Sequence, residues 1–307
     1  MKFGLAFASS VGTDPESALE ICRTAEQVGF DSVWGGEHVI RPTRIESAYP
    51  YTADGEMPGE TDTPIPDPLI WLAYVAAAAP TVRLGTCILI VPQRNPVVLA
   101  KELATLDWLT GGRVELGLGV GWLEEEFQAL GVPWARRGAR NDEYVAAMRA
   151  LWAGPHAEFH GEFVDFEPAT CSPRPVNGNI PILVGGDTPV AIRRAARLAD
   201  GYFPGTTDPE KLSSLIEALA QEVAEQGRSM RDIQVHAIFQ SFRRPRRASN
   251  VWRRKALSAR WCRRSFLLVL GAWIDWPSLA RRSFSLTAEG RSRRLQSPRI
   301  AVTRSAK

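Results

Sequence analysis

Ala25-Glu-Gln-Val-Gly-Phe-Asp-Ser-Val-Trp-Gly-Gly-Glu-His38 holds one complete junction of the fold. A helical stripe through Leu19, Ile21, Ala25 and Val28 stops at Gly29, the β-rich run Asp31–Gly35 follows, and Glu37-His38 stand directly after it. Working outward, the same rhythm recurs. Lys2–Ala8, Val82–Val91, Arg113–Val120, Pro181–Gly185, Asp200–Phe203 and Ile233–Phe239 read as strands. Asp14–Gly29, Asp67–Ala79, Asn95–Leu109, Arg136–Trp152, Thr188–Leu198 and Asp208–Gly227 read as helices. Parallel neighbours need a long crossover, which a helix supplies, so the alternation predicts an α/β fold of the TIM (β/α)8 type. Chemistry on such a barrel gathers at the C-terminal ends of the strands.

The chain has 307 residues and a net charge of +3, but its two ends differ. Ser241–Lys307 carries 18 of the 37 Lys and Arg residues, with Asp275 and Glu289 as its only acids, so the rest of the chain is acidic. Residues 1–240 are therefore expected to form the barrel through strand seven. Residues 241–307 are expected to be a basic Arg/Ser/Trp-rich tail without a defined fold, resembling translation of a shifted reading frame. Phe266–Leu270 could substitute for strand eight, the less favoured reading, and the barrel is expected to be incomplete or imperfectly closed at its C-terminus. Four scattered cysteines without metal-ligand spacing argue against a disulfide framework or a metal site. With no signal-like N-terminus and no apolar run long enough to span a bilayer, a cytoplasmic protein away from membranes is expected.

Four strand ends carry candidate chemistry. Trp34-Gly-Gly-Glu37-His38 combines close backbone approach with an imidazole able to move protons near neutral pH. Leu84-Gly-Thr-Cys87-Ile88 is apolar on both faces and has room for a bulge. Leu116-Gly-Leu-Gly-Val120-Gly121-Trp122 is glycine-rich but lacks dinucleotide spacing. Gly185-Gly186-Asp187-Thr188, with Gly205-Thr206-Thr207, offers amides and hydroxyls to an anion. The long Val39–Pro68 stretch, with Tyr49-Pro-Tyr51, is a candidate flap over the barrel mouth. Carboxylate pairs and Ser/His/Asp arrangements are missing from this set, which suits a cofactor that brings its own reactivity.

At these residues the chain resembles the luciferase-like monooxygenase superfamily, in its coenzyme F420-dependent oxidoreductase branch. The resemblance is carried by Ala25–Trp34 with Glu37-His38, Val82–Thr86, Pro92-Gln-Arg-Asn-Pro96, Gly111-Gly-Arg-Val114 with Gly117–Trp122, Arg137–Arg140 with Asp142-Glu143, Pro173-Arg-Pro175, and Gly185-Gly186 with Ala195–Gly201. It covers roughly residues 1–240. It implies a TIM barrel, F420 or FMN as cofactor, and a homodimer. It further implies His38 as the catalytic residue beside the ring and Glu37, Cys87, Ile88, Val120, Gly121, Gly185, Gly186 and Thr206 as cofactor-binding. Cys87-Ile88 falls where relatives hold a non-prolyl cis peptide. Tyr49, Tyr51 and Trp122 would line the substrate pocket; Trp122 replaces an acid found in relatives that oxidise sugar phosphates. The expected function is a flavin- or deazaflavin-dependent oxidoreductase or monooxygenase acting on a small organic substrate. Two alternatives stand beside it: nucleic-acid binding through the arginine- and tryptophan-bearing tail, the less favoured, and a flavin-free barrel acting on phosphorylated small molecules.

Overall fold

The structure is a computed structural model that describes residues 2–11, 14–239 and 266–270. The strands are β1 (Lys2–Leu5), β2 (Ser32–Gly35), β3 (Arg83–Thr86), β4 (Leu89–Ile90), β5 (Val114–Gly119), β6 (Ala157–His160), β7 (Asp165–Ala169), β8 (Ile182–Gly185), β9 (Gly201–Phe203), β10 (Gln234–Phe239) and β11 (Phe266–Leu270). The helices are α1 (Ala8–Val11), α2 (Pro15–Gln27), α3 (Pro68–Val75), α4 (Pro96–Thr110), α5 (Glu124–Ala129), α6 (Arg137–Ala153), α7 (Pro189–Leu198) and α8 (Pro209–Glu225).

Parallel pairing runs β1–β2–β3–β5–β8–β9–β10–β11 and returns from β11 to β1, a ring of eight strands. The open seam expected at the C-terminal end is thus filled by Phe266–Leu270, with Leu268 in register with Phe3 on one side and Ala237 on the other. The remaining expectations for residues 241–307 lie outside the described residues. β6 and β7 form an antiparallel hairpin whose turn begins at Gly161.

Local chemistry explains where the crossover helices begin. α2, α3, α4, α7 and α8 each start with proline at the first position, preceded by Asp14, Asp67, Asn95, Thr188 and Asp208. Each capping side chain accepts backbone amides of the first turn, while proline occupies the one position where its missing N–H costs nothing.

Two strand boundaries differ from the sequence expectation. The first strand ends at Leu5, because Phe7 adopts a positive φ of 52° and Ala8–Val11 turns into helix. The expected Val82–Val91 strand divides into β3 and β4 around Cys87-Ile88, whose peptide bond is cis.

Trp34, fully buried, fills the middle of the barrel; its indole N–H donates to Ser32 Oγ at 2.8 Å. A Cβ on Gly85 would overlap that ring, so glycine there is a packing requirement. Toward the N-terminal strand ends lies a polar layer: Arg83 pairs with buried Glu115, and buried His236 stacks edge-on to Trp34 at 5.2 Å. Burial pushes the Glu115 carboxyl up to about 7, with Arg83 opposing the rise. Burial, helped by the Arg83 charge, pulls His236 down to about 3. Toward the C-terminal strand ends the interior turns apolar, with Ala6, Cys87, Leu183 and Phe203 packed under Phe7, Ile88 and Ile238.

Candidate active site

The residues singled out in the sequence lie at the C-terminal ends of neighbouring barrel strands: Glu37-His38 after β2, Cys87-Ile88 between β3 and β4, Val120–Trp122 after β5, Gly185-Gly186 at β8 and Thr206 after β9. Several converge. His38 meets the Trp122 ring edge-on at 5.9 Å, Trp122 meets Tyr49 at 5.0 Å, and Tyr49 meets Tyr51 at 5.4 Å. Tyr51 in turn packs on Gly205, where a Cβ would overlap its ring. Ile88 closes the floor against Gly185; a Cβ there would come within 2.9 Å of Ile88 and 3.2 Å of the Leu118 carbonyl. Gly121 takes a φ of +83°, and a Cβ there would come within 2.5 Å of the Phe127 ring.

His38 is the imidazole of this constellation, with a side chain 13% exposed. Its Nδ1 lies 3.3 Å from Glu126 Oε2. Glu126, on α5, is almost fully buried; Oε1 accepts the amides of Val39 at 2.6 Å and Ile40 at 3.2 Å, and Oε2 accepts Gln93 Nε2 at 3.1 Å. Burial works to raise the Glu126 carboxyl, but His38, Gln93 and the Ile40 amide outweigh it and hold the group below the usual range. An ionised carboxylate only accepts, so Nδ1 of His38 carries the hydrogen and Nε2 is left as the proton-exchanging atom. Sequence reading missed Glu126. Its signal was the acidic run Glu124-Glu-Glu126, which opens a short helix directly after the glycine-rich strand end and Trp122.

Glu37, expected as a cofactor contact, has both carboxylate oxygens engaged within the protein. Oε2 accepts the Ile90 amide at 2.5 Å, and Oε1 is held by Arg94 through Nε at 3.0 Å and through Nη2. Arg94 also donates to Asp67 Oδ2 at 2.6 Å. With both oxygens engaged and its side chain 1% exposed, Glu37 ties the end of β2 to β4 and braces the His38 loop from below. Arg94 is the second residue that sequence reading passed over.

The Val39–Pro68 stretch has no helix or strand between β2 and α3, as expected. It is fastened along its length. Glu125 accepts the amides of Glu46 at 2.5 Å and Ser47 at 2.9 Å, and Arg41 donates to the carbonyls of Met57, Gly59 and Glu60. α5 therefore fixes the Val39–Pro68 stretch with Glu125 and the His38–Ile40 segment with Glu126.

The groups expected to receive an anion are engaged with one another. Asp187 Oδ1 accepts the amides of Gly205 at 2.7 Å and Thr206 at 3.3 Å, and Oδ2 pairs with Lys211 at 2.8 Å. The Thr206 hydroxyl accepts the Asp208 amide at 3.2 Å, and the Gly186 carbonyl accepts the Tyr202 hydroxyl at 2.9 Å.

A flat redox ring fits the residues at the His38 end. Phe7, Ile88, Phe203 and Ile238 form an apolar surface at the strand ends, and His38 stands at the end of a neighbouring strand among aromatic side chains. The phosphate end also has donors of the right chemistry, with Asp187 already among them. Among the described residues no cluster of metal-ligating side chains occurs, and no helix is long and apolar enough to cross a membrane.

Comparison with known proteins places this geometry. The family model described as luciferase-like monooxygenase matches residues 1–265. An uncharacterized protein of Mycobacterium tuberculosis is 35% identical over 238 residues, covering 78% of this chain and 81% of its own length. The F420-dependent glucose-6-phosphate dehydrogenase of Beutenbergia cavernae is 34% identical over 232 residues, covering 74% of this chain and 64% of its own. Among solved structures, the monooxygenase RslO1 from Streptomyces bottropensis superposes with a TM-score of 0.68 at 25% identity, covering 94% of this chain and 98% of that one. With relatives dependent on F420 and on reduced FMN on either side of it, and with its parallel barrel and strand-end site, this chain belongs to the luciferase-like monooxygenase family.

Proposed function

We propose that this chain is a flavin- or deazaflavin-dependent oxidoreductase acting on a small organic substrate, by hydride transfer or by oxygen activation on a reduced flavin. The observation that carries the reading is the part-buried His38–Glu126 pair at the same strand ends as the apolar surface of Phe7, Ile88, Phe203 and Ile238. A single histidine with its tautomer fixed, and no metal-ligating cluster among the described residues, suits a proton-transfer partner to a cofactor better than a hydrolytic centre. Bound F420 or FMN would supply the hydride- or oxygen-reactive ring. Cys87-Ile88, Val120-Gly121 and Gly185-Gly186 would hold that ring and its side chain, and Gly205-Thr206 its phosphate. His38 Nε2 gives or takes the substrate's proton, and Glu126 keeps the ring of His38 in the orientation and tautomer that leave Nε2 free. Trp122, Tyr49 and Tyr51 form an aromatic wall that excludes water and accepts an apolar substrate.

The test is a fluorescence titration of the purified chain with F420 and with FMN, followed by turnover of the variant His38→Ala. One cofactor binds, and His38→Ala lowers turnover on the order of 100-fold while cofactor affinity changes little. Affinity for neither cofactor, or unchanged turnover in His38→Ala, refutes the reading.

A further inference from the structure

The anion cradle between β8 and β9 contains its own anion. The amides of Gly205 and Thr206 converge on one oxygen of Asp187, and the ammonium of Lys211, in the first turn of α8, lies against the other. The Asp187 side chain is only 10% exposed, so its charge is screened little by solvent. Two neighbouring phenols register that charge. Burial raises both Tyr51 and Tyr202, and the Asp187 carboxylate raises each further. Tyr51 stacks on Gly205, so the carboxylate, its two amide donors and the flap meet at one point.

We propose that Asp187 is a specificity-determining residue: its carboxylate competes for the Gly205 and Thr206 amides and for Lys211, and so favours a singly charged phosphate diester over a doubly charged monoester. The inference rests on the cofactor reading above and takes it one step further, toward a choice between the two cofactors. The phosphate of FMN is a monoester carrying between one and two charges near neutral pH, the second ionisation falling near pH 6. The phosphate of the deazaflavin F420 is a diester and carries one. A phosphate entering the cradle must share its donors with the carboxylate or displace it. Either way the repulsion grows with the charge on the ligand, so the monoester is disfavoured more. The same argument weighs against a phosphorylated sugar as the group bound there, since it too is a monoester.

Three ligands isolate the effect: riboflavin without phosphate, FMN with a monoester, and F420 with a diester. Each is titrated by fluorescence into the full chain, Asp187→Asn and Lys211→Met. Asp187→Asn keeps an amide-accepting oxygen and removes the charge, so FMN should bind at least about tenfold more tightly, equivalent to about 1.4 kcal/mol. F420 should gain by a smaller factor and riboflavin should stay within about twofold. Lys211→Met should weaken FMN relative to riboflavin, the opposite sign on the same seat. A parallel arm needs no ring: millimolar inorganic phosphate should raise the melting temperature of Asp187→Asn more than that of the parent. Unchanged FMN-to-riboflavin ratios in both variants, or equal gains for all three ligands, overturn the proposal and leave Asp187 as a brace between two loops. If none of the three ligands binds, the cofactor reading fails, and the phosphate arm then decides alone whether Asp187 guards an anion seat.

Discussion

Replacing Arg94 by methionine tests whether Glu37 is the buried brace described here. In the parent, Arg94 holds Glu37 through Nε and Nη2 and Asp67 through Nη2. Arg94→Met keeps much of the side-chain volume but leaves the Glu37 carboxylate with the Ile90 amide alone, in a site where its side chain is 1% exposed. Removing one partner of a buried pair costs about 3–5 kcal/mol, because the other charge stays behind unpaired. At about 2–4 °C per kcal/mol for a domain of this size, the melting temperature should fall by roughly 6–20 °C. Asp67 contributes little to the loss, since it is partly solvated and still caps α3 through the amides of Leu69 and Ile70.

The loss should depend on pH in one direction. Burial already raises the folded Glu37 carboxyl above its ordinary value of 4.5, with Arg94 opposing the rise. A raised group contributes stability that is complete below 4.5 and lost as pH climbs through the folded value. Arg94→Met moves the folded value higher still, so the gap between parent and variant is widest at and above neutrality and narrows toward pH 4.5. The assay is urea unfolding of both proteins across that range, with Glu37→Gln/Arg94→Met as the rescue. The double variant should recover about 2 kcal/mol or more at neutral pH, because the stranded charge is gone and an acceptor for Ile90 remains. A loss under about 1 kcal/mol, or one that stays constant from neutral to acid pH, refutes the argument.

Glu126→Gln can turn its amide N–H toward His38, which reverses the tautomer. Turnover should fall about 10–100-fold with cofactor affinity nearly unchanged, and the nitrogen chemical shifts of His38 should report hydrogen moving from Nδ1 to Nε2. Glu115 and His236 make opposite contributions around Arg83. The raised Glu115 carboxyl loses stability as pH rises from 4.5 through about 7, whereas the depressed His236 loses it as pH falls from 6.5 toward about 3. Glu115→Gln should therefore remove the alkaline loss, about 3 kcal/mol, and leave a urea midpoint that still climbs between pH 4.5 and 6.5. The family resemblance implies a homodimer, and Ile70 and Tyr74 on α3 and Val97, Val98, Trp108 and Leu109 on α4 expose large apolar side chains. Ile70→Glu with Trp108→Glu should halve the mass measured by light scattering; an unchanged mass places any interface elsewhere.

Much of the site's outline was readable because it depends on local grammar. Gly29 before Asp31–Gly35, and Asp, Asn or Thr followed by proline at five helix starts, mark turns and caps through contacts no more than four residues apart. Strand ends therefore came out close to right, and with them the position of His38, Cys87-Ile88, Gly121 and Gly185-Gly186 at those ends. Phe7 and the break at Cys87 did not, since a positive φ on phenylalanine and an interrupted apolar run leave no mark in periodicity. Glu126, Arg94 and Asp187 were hidden for another reason. Each is an ordinary charged residue in a helix, a loop or a glycine turn, and its role exists only in a partner 88, 57 or 18 positions away.

Sequence alone determined that this chain alternates strand and helix, that its polar and glycine-rich residues follow the strands, and that His38 ends the second of them. Those properties arise from backbone preference and from burial of apolar faces, which short stretches encode by themselves. Tertiary structure alone decided that the Phe266–Leu270 strand fills the gap between the first strand and Gln234–Phe239. It also decided that Glu126 fixes the histidine, that Glu37 is committed to Arg94, and that Asp187 holds the amides of Gly205 and Thr206. A charge buried by the fold must find its partner in space, and closing the ring is what brings those partners within reach.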